Sequence, residues 1–252
     1  MIAENELVLL VDENGRKALV RAVNKTENIR KLGVFNPGVL IGMEHGSTVE
    51  IAGKKLFVLA PNIVDKIETI RRRAQIILPK DAALIALYCD IKNGSVVIEG
   101  GIGSGALTTV LANLVRPNGK VVSYEKRSDF ATFALENLKR VDLDKYVEIK
   151  IKDITENIDE RGVDVVILDI PNPWDAIKNV SRSLKISGAF CSYSPLVNQA
   201  ENTVKELKRY NFIEVKTFES LQREIIVGER GTRPSFKMLA HTGYLTFGRK
   251  LS

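Results

Sequence analysis

The sequence predicts an α/β protein with a largely parallel sheet, preceded by a small all-β domain, and three observations predict it. Residues 95–125 read as strand, glycine loop, helix and strand. From there to residue 247, apolar runs of strand length alternate with helical periodicities, the pattern of a doubly wound sheet. Residues 1 to about 70 carry hairpin signals instead.

In the first 70 residues, 7–11 and 18–20 flank Asp12-Glu13-Asn14-Gly15, and Asn-Gly is a strong hairpin turn. Residues 48–51 and 56–59 make a second hairpin around Ala52-Gly53-Lys54, with a Gly- and Pro-punctuated strand and loop over 33–46 between the two. This is a barrel-like domain of residues 1–70 whose last strand ends near Pro61, suited either to nucleic acid or to an oligomer contact. Residues 62–73 read as a helix ending in Arg71-Arg72-Arg73. Those cations either complement the helix dipole or meet phosphate. In the second domain, residues 71–252, Asp81 is placed as the N-cap of a helix over 82–89.

The chemistry centres on 95–125. Val96-Val97-Ile98 is a buried strand ending in Glu99, followed by Gly101-Ile102-Gly103-Ser104-Gly105, a helix over 106–115, the turn Pro117-Asn118-Gly119 and a strand ending in Glu125. A dinucleotide loop reads G-x-G-x-x-G and places a pyrophosphate at the helix N-terminus. Here the spacing is G-x-G-x-G, and a carboxylate at 99 would repel pyrophosphate but suits an ammonium group. Glu125, at the tip of the next strand, can accept hydrogen bonds from ribose hydroxyls. An adenosine with a cationic amino-acid tail is S-adenosylmethionine, so the loop points to a methyltransferase.

The remaining elements continue the sheet. A helix over 129–140 carries Phe130, Phe133, Ala134, Leu138 and Val141 at helical spacing, and the strand 147–151 leads to Asp153. Asp153 either meets an adenine amino group or caps the next helix. The strand 163–168 is an almost uninterrupted apolar run, hence buried on both faces, and runs into Asp169 at the sheet edge where ligands bind. A helix to 184, a turn at Ser187-Gly188, a strand 189–193 and a helix 199–210 follow. Strands 212–218 and 243–247 then form an antiparallel edge pair.

Composition narrows the function classes. A net charge of +6 favours a polyanionic partner mildly, or simply solvates the surface. Cys89 and Cys191 are too few for a disulfide framework or a metal cluster, and Cys191 lies in an apolar run that favours a buried thiol. His45 and His241 are isolated, so no metal site is expected. No apolar run reaches the roughly 18 residues of a membrane span and no signal peptide opens the chain, so a cytoplasmic location is expected.

Several segments together resemble one family, the archaeal and bacterial tRNA (adenine-N1)-methyltransferases that act on T-loop adenine 58. They are HG at 45–46, FVLAP at 57–61, QIILPKDAALI at 75–85, EGGIGSGALT at 99–108 and VVSYEKRSDFATFALENL at 121–138. LDIPNPW at 168–174, YSPLVNQ at 193–199, RP at 233–234 and HTGYLTFGR at 241–249 complete them. The resemblance spans almost the whole chain. It implies a Rossmann-like, seven-stranded class I methyltransferase sheet with a small N-terminal β domain, a homotetramer, a tRNA substrate and S-adenosylmethionine as cofactor. By the same resemblance Glu99, Gly101, Gly103, Ser104, Gly105, Ala106 and Leu107 line the cofactor. Glu125 holds its ribose and Asp153 its adenine ring, Lys126 and Ile154 are further cofactor-binding candidates, and Asp169 is the catalytic acid residue and also borders the cofactor. Tyr193 flanks the target base. Apart from the resemblance, the basic run Arg71, Arg72 and Arg73 before the catalytic domain, and His241, are the further substrate-binding candidates. The chain departs from the family at Leu78, where a tyrosine is usual before PKD, and at Ile102, where threonine is usual.

The reaction expected is methyl transfer to N1 of adenine 58, with or without adenine 57. Three alternatives are a methyltransferase for protein carboxylates or small molecules, a dinucleotide oxidoreductase, and a non-catalytic tRNA-binding subunit.

Overall fold

Alternating apolar and polar residues build the first of two units, Met1–Arg71, and alternating strands and helices build the second, Arg72–Ser252. The computed structural model describes residues 1–29, 32–229 and 231–252. The boundary falls inside the arginine run, one residue later than expected, which leaves Arg71 in the first unit.

In the first unit β1 (Leu7–Asp12) and β2 (Lys17–Arg21) pair antiparallel, Leu9 opposite Leu19. Asp12 Oδ1 closes their turn by accepting the Asn14 and Arg16 amides at 2.9 and 2.8 Å. A short hairpin of β3 (Glu27–Ile29) and β4 (Gly33–Phe35) precedes the hairpin of β5 (Thr48–Ile51) and β6 (Lys54–Leu59). The main sheet runs β2-β1-β6-β5 with β2 and β5 at its edges, so it is open where a barrel was expected. Val8, Leu10, Leu40, Leu56 and Val58 form its core.

Helix α1 (Ile63–Glu68) starts at a capping box between Asn62 and Asp65. It stops earlier than the predicted 62–73, because the Thr69 hydroxyl bonds back to the Asp65 carbonyl at 2.7 Å and closes the last turn. Arg71–Arg73 therefore stand on irregular chain rather than on a helix end.

The second unit opens with α2 (Pro79–Tyr88). Proline occupies its first helical position, where a missing N–H is harmless, so Asp81 falls inside the first turn and is not the N-cap. Then follow β7 (Val96–Gly100), α3 (Ala106–Val115), β8 (Lys120–Tyr124), α4 (Ser128–Arg140), β9 (Val147–Lys150) and β10 (Val163–Leu168). After them come α5 (Pro173–Ser183), β11 (Leu184–Ser194), α6 (Val197–Arg209), β12 (Phe212–Glu219), β13 (Ile225–Gly228), β14 (Gly231–Pro234) and β15 (Tyr244–Lys250).

Among the described residues the central sheet has seven strands in the order β12-β15-β11-β10-β7-β8-β9. Strands β11 to β9 are parallel, and β15 runs antiparallel to both β11 and β12. Strands buried on both faces do not alternate apolar with polar residues, and β7 and β10 are apolar runs whose only charged positions are Glu99 and Asp164. Ile98, Val166, Leu168 and Phe190 are fully buried there, each contributing about 1.5–3 kcal/mol. The predicted turn at Ser187-Gly188 is an irregularity within a longer β11, where Val163 pairs Leu184 but Val165 pairs Ala189. The β13–β14 hairpin was not predicted at all.

Candidate active site

From β7 the chain winds outward through β8 to β9, then returns to the other side of β7 as β10. Crevices form at such a switch point, beyond the carboxyl ends of the strands. Here a cleft of about 500 Å³ opens, lined by Gly101 and Gly103, Tyr124 to Arg127, Phe130, Lys152 to Thr155, Asp169 to Asn172, Ala74 and Gln75.

Backbone bonds hold its floor: the Asp169 amide donates to the Gly100 carbonyl at 2.8 Å and the Gly101 amide to the Tyr124 carbonyl at 2.9 Å. Residue 101 must be glycine twice over. Its φ is +87°, and a Cβ would stand 2.2 Å from the Asp169 carbonyl oxygen.

Three acids face the cleft. Glu125 Oε1 accepts the Arg127 amide at 3.0 Å, which ties the acid to the start of α4. Asp153 accepts the amide and hydroxyl of Thr155 on one oxygen, at 2.9 and 2.7 Å, and pairs with Lys126 at 2.7 Å on the other. Burial pulls the Asp153 carboxyl upward, but Lys126 and Thr155 outweigh it and hold it below the usual range. Asp169 is open to the cleft, with protein around its other sides, and this enclosure raises its carboxyl to about 7. Among the described residues no cation stands within 4 Å of it to offset that cost.

Of the residues singled out from the sequence, the fold brings Gly101, Gly103, Glu125, Lys126, Asp153, Ile154 and Asp169 together. The rest stand elsewhere. Glu99 was expected to meet an ammonium group, but its side chain turns inward, away from the cleft lining. Its Oε2 accepts Thr108 Oγ1 from α3 at 2.7 Å and Ser123 Oγ from β8 at 2.8 Å. Burial first, and Asp169 and Glu125 after it, raise its carboxyl to about 8 against the two hydroxyl bonds. Ser104 Oγ accepts the Arg73 and Ala74 amides at 3.1 and 3.4 Å, which joins the glycine loop to the 73–74 backbone. Gly105, Ala106 and Leu107 start α3 facing the core.

The substrate-binding candidates are also outside the cleft lining. Arg73 lies 4.5 Å from the Phe133 ring centre and 3.7 Å from Asp129, so it packs on α4. Arg71 and Arg72 are exposed. His241, isolated along the chain, is not isolated in the fold: both its ring nitrogens are engaged, by Glu219 at 2.6 Å and the Pro195 carbonyl at 2.8 Å. The Glu219 bond, then Pro195, raises its pKa. Tyr193 is buried and donates its hydroxyl to the Thr242 carbonyl.

Sequence reasoning missed Tyr124, Arg127, Phe130, Lys152, Thr155 and the 170–172 segment. Arg127 covers the Phe130 ring at 3.5 Å, and the two stand two and five residues after Glu125 in the chain. A signal existed, since residues flanking an acid at a strand end share its edge of the sheet.

An enclosed acid without a cation, a ribose-competent acid two strands away, an aromatic wall and a glycine turn suit a cationic adenosyl ligand. With the strand order, they define a class I S-adenosylmethionine-dependent methyltransferase, and S-adenosylmethionine is the methyl donor. Residues 56–233 match the family described as tRNA methyltransferase complex GCD14 subunit, and the chain belongs to that family. The tRNA (adenine(57)-N(1)/adenine(58)-N(1))-methyltransferase TrmI of Methanocaldococcus jannaschii is 35% identical, over 96% of this chain and 94% of its own. Among solved structures, a tRNA (m1A58) methyltransferase TrmI from Aquifex aeolicus is 30% identical with a TM-score of 0.81, covering 100% of this chain and 99% of that one. A SAM-dependent O-methyltransferase from Thermotoga maritima is 36% identical with a TM-score of 0.89, covering 100% and 95%. Among the described residues no helix is long and apolar enough to cross a membrane, and no group of three or more His, Cys, Asp or Glu is placed to hold a metal ion.

Proposed function

We propose that the chain methylates N1 of adenine 58 in the tRNA T-loop, with or without adenine 57. The observation that carries this reading is Asp169, an acid enclosed in the cleft with no cation beside it among the described residues. S-adenosylmethionine, when bound, supplies an electrophilic methyl group on a sulfonium. Adenine N1 already has a lone pair, so no strong base is needed. Positive charge develops on the ring as N1 is methylated, and a preorganised carboxylate beside it stabilises that charge. Asp169 takes this role and accepts a hydrogen bond from the adenine N6 amine.

Glu125 and Lys126 hold the ribose side of the cofactor, and Asp153 and Ile154 its adenine, with Gly101 and Gly103 beneath. Glu99, Ser104, Gly105, Ala106 and Leu107 shape the loop from behind. Tyr193 flanks the target base, and His241 acts through the 241–243 segment. Reaching N1 means extruding the base, at a few kcal/mol. Exposed cations, Arg71 and Arg72 together with Arg127 at the cleft rim, offset that cost through phosphate contacts, so tRNA affinity falls steeply with salt.

A homotetramer in the cytoplasm completes the proposal. Every residue of β13 and β14 is exposed although Ile225, Ile226 and Val227 are apolar, and Phe236 beyond them is 83% exposed. A second copy that covers this hairpin removes the apolar surface from water. Light scattering should then give four times the 28.0 kDa chain mass. The decisive experiment is nucleoside mass spectrometry of unmodified tRNA incubated with the chain and S-adenosylmethionine. Appearance of 1-methyladenosine at position 58 supports the reading. Methyl transfer to protein or small molecules alone overturns it.

A further inference from the structure

The second unit contains a buried ion pair that the reaction does not use. Lys80 Nζ lies 2.7 Å from Asp81 Oδ1, with Asp81 fully buried and the Lys80 side chain 9% exposed. Both reach 161 or more residues along the chain to Thr242, whose Oγ1 accepts from Lys80 at 2.8 Å and donates to Asp81 Oδ2 at 2.8 Å. A third Lys80 bond goes to the Ser220 carbonyl at 2.7 Å. The ammonium group thus uses its three donors, and the Thr242 hydroxyl both donates and accepts.

This closed cluster grips the backbone that holds Tyr193. The Thr242 carbonyl accepts the Tyr193 hydroxyl. The next residue, Gly243, leaves room for the ring, since a Cβ there would lie 2.5 Å from Tyr193 Cζ. Leu168 pairs with Ser192 in the parallel sheet, so the residues that follow them, Asp169 and Tyr193, stand side by side at its carboxyl edge. Tyr193 is also close enough for the charges of Asp81 and Asp169 to act on its hydroxyl, which burial and those charges push up to about 12.

We propose that Lys80, Asp81 and Thr242 are positioning residues that clamp residues 242–243 against Tyr193 and so fix its ring beside Asp169 for the target base. The inference deepens the proposed function and rests on its reading of Tyr193. A buried ion pair is a poor source of stability, because desolvation offsets its attraction. What it does provide, with the three ammonium protons and the Thr242 hydroxyl proton all engaged, is one geometry. The Tyr193 hydrogen is committed to Thr242, so the side chain serves through its ring, and a ring must be held. Leucine at 78, next to the pair, leaves no aromatic group at the start of α2 to share the task.

The test compares Thr242→Val, Thr242→Ser, Gly243→Ala, Tyr193→Ala and the double variant Thr242→Val/Tyr193→Ala. It reads kcat and KM on tRNA, and cofactor affinity by calorimetry. Thr242→Val and Gly243→Ala should each lower kcat about 10- to 100-fold through misplacement of the ring, with cofactor affinity unchanged. Thr242→Ser should restore kcat. In the Tyr193→Ala background Thr242→Val should cost almost nothing more, because the two act as one unit. Wild-type kcat in both single variants overturns the inference, as does an undiminished Thr242→Val loss without Tyr193. Should Thr242→Val fail to fold, Gly243→Ala displaces the ring without touching the ion pair and decides alone. If wild type methylates tRNA while these variants match it, only the positioning role falls. If wild type methylates no tRNA, the proposed function falls and takes the inference with it.

Discussion

Two groups of carboxyls in the second unit behave in opposite ways. Asp159 and Glu160, just before β10, are clamped by lysines: Lys150 lies 3.1 and 2.5 Å from them and Lys152 lies 2.8 Å from Asp159. These bonds hold Asp159 down at about 2, and they hold Glu160 below its usual range although burial pulls it up. Among the described residues Glu99 and Asp169 have no such partner, and the loss of water around them, by burial of Glu99 and by enclosure of Asp169 in the cleft, raises them to about 8 and about 7. The difference teaches where the chemistry is. Satisfied acids build the scaffold, Glu99 with its two hydroxyl donors as well as the lysine-bound pair, whereas Asp169, facing the cleft, marks the place where a ligand must bring a cation.

Breaking the second group should have the larger effects. Asp169→Ala should lower kcat for tRNA methylation by about two to three orders of magnitude, with cofactor affinity nearly unchanged in calorimetry. Full turnover in that variant removes Asp169 from the reaction. Asp153→Asn, which weakens an acid already bonded by Lys126 and Thr155, should cost about tenfold in cofactor affinity, a loss of about 1.4 kcal/mol, and leave kcat near wild type.

The two raised acids also predict a pH dependence of stability. In the folded chain Glu99 and Asp169 keep their protons at pH values where the unfolded chain has released them. Their contribution is complete below about pH 4 and is lost as pH rises through about 7 and 8. Asp153, Asp159, Glu160 and Asp164, held low, contribute oppositely, and their gain is complete once pH exceeds their unfolded values near 4. Between pH 5 and 9, a window set by those values, the unfolding midpoint of the chain without ligand should therefore fall with pH. Glu99→Gln should flatten that curve, and a curve unchanged by the substitution contradicts the buried, protonated carboxyl.

The smallest effect belongs to the clamped group. Lys150→Ala should cost about 1 kcal/mol, since its ion pairs are partly screened, and should lower the melting midpoint by about 2–4 °C. Methyl transfer should survive it.

Much of this was legible in the sequence, and the failures have physical causes. The strand–glycine–helix run at 96–115 is local, because apolar length, glycine spacing and an acid at the strand end are all carried by neighbouring residues. Helix α1 was overextended because Lys66 and the arginines fit a helix well; the Thr69 bond to the Asp65 carbonyl, which ends it, has no strong sequence signature. Asp81 looked like a cap because acids often are, until Pro79 took the first helical position. Glu99 was read by charge alone, although Thr108 and Ser123 turn it inward from two other elements.

By itself the sequence determined the order of strands and helices apart from the β13–β14 hairpin, the glycine turn, the acids at the sheet edge and the family, since each depends on residues close together in the chain. Only the tertiary structure decided which acids are neutralised and which are left to a ligand, and how Tyr193 is held. Those outcomes depend on partners such as Asp81 and Thr242, 161 residues apart, and on burial, which no local pattern carries.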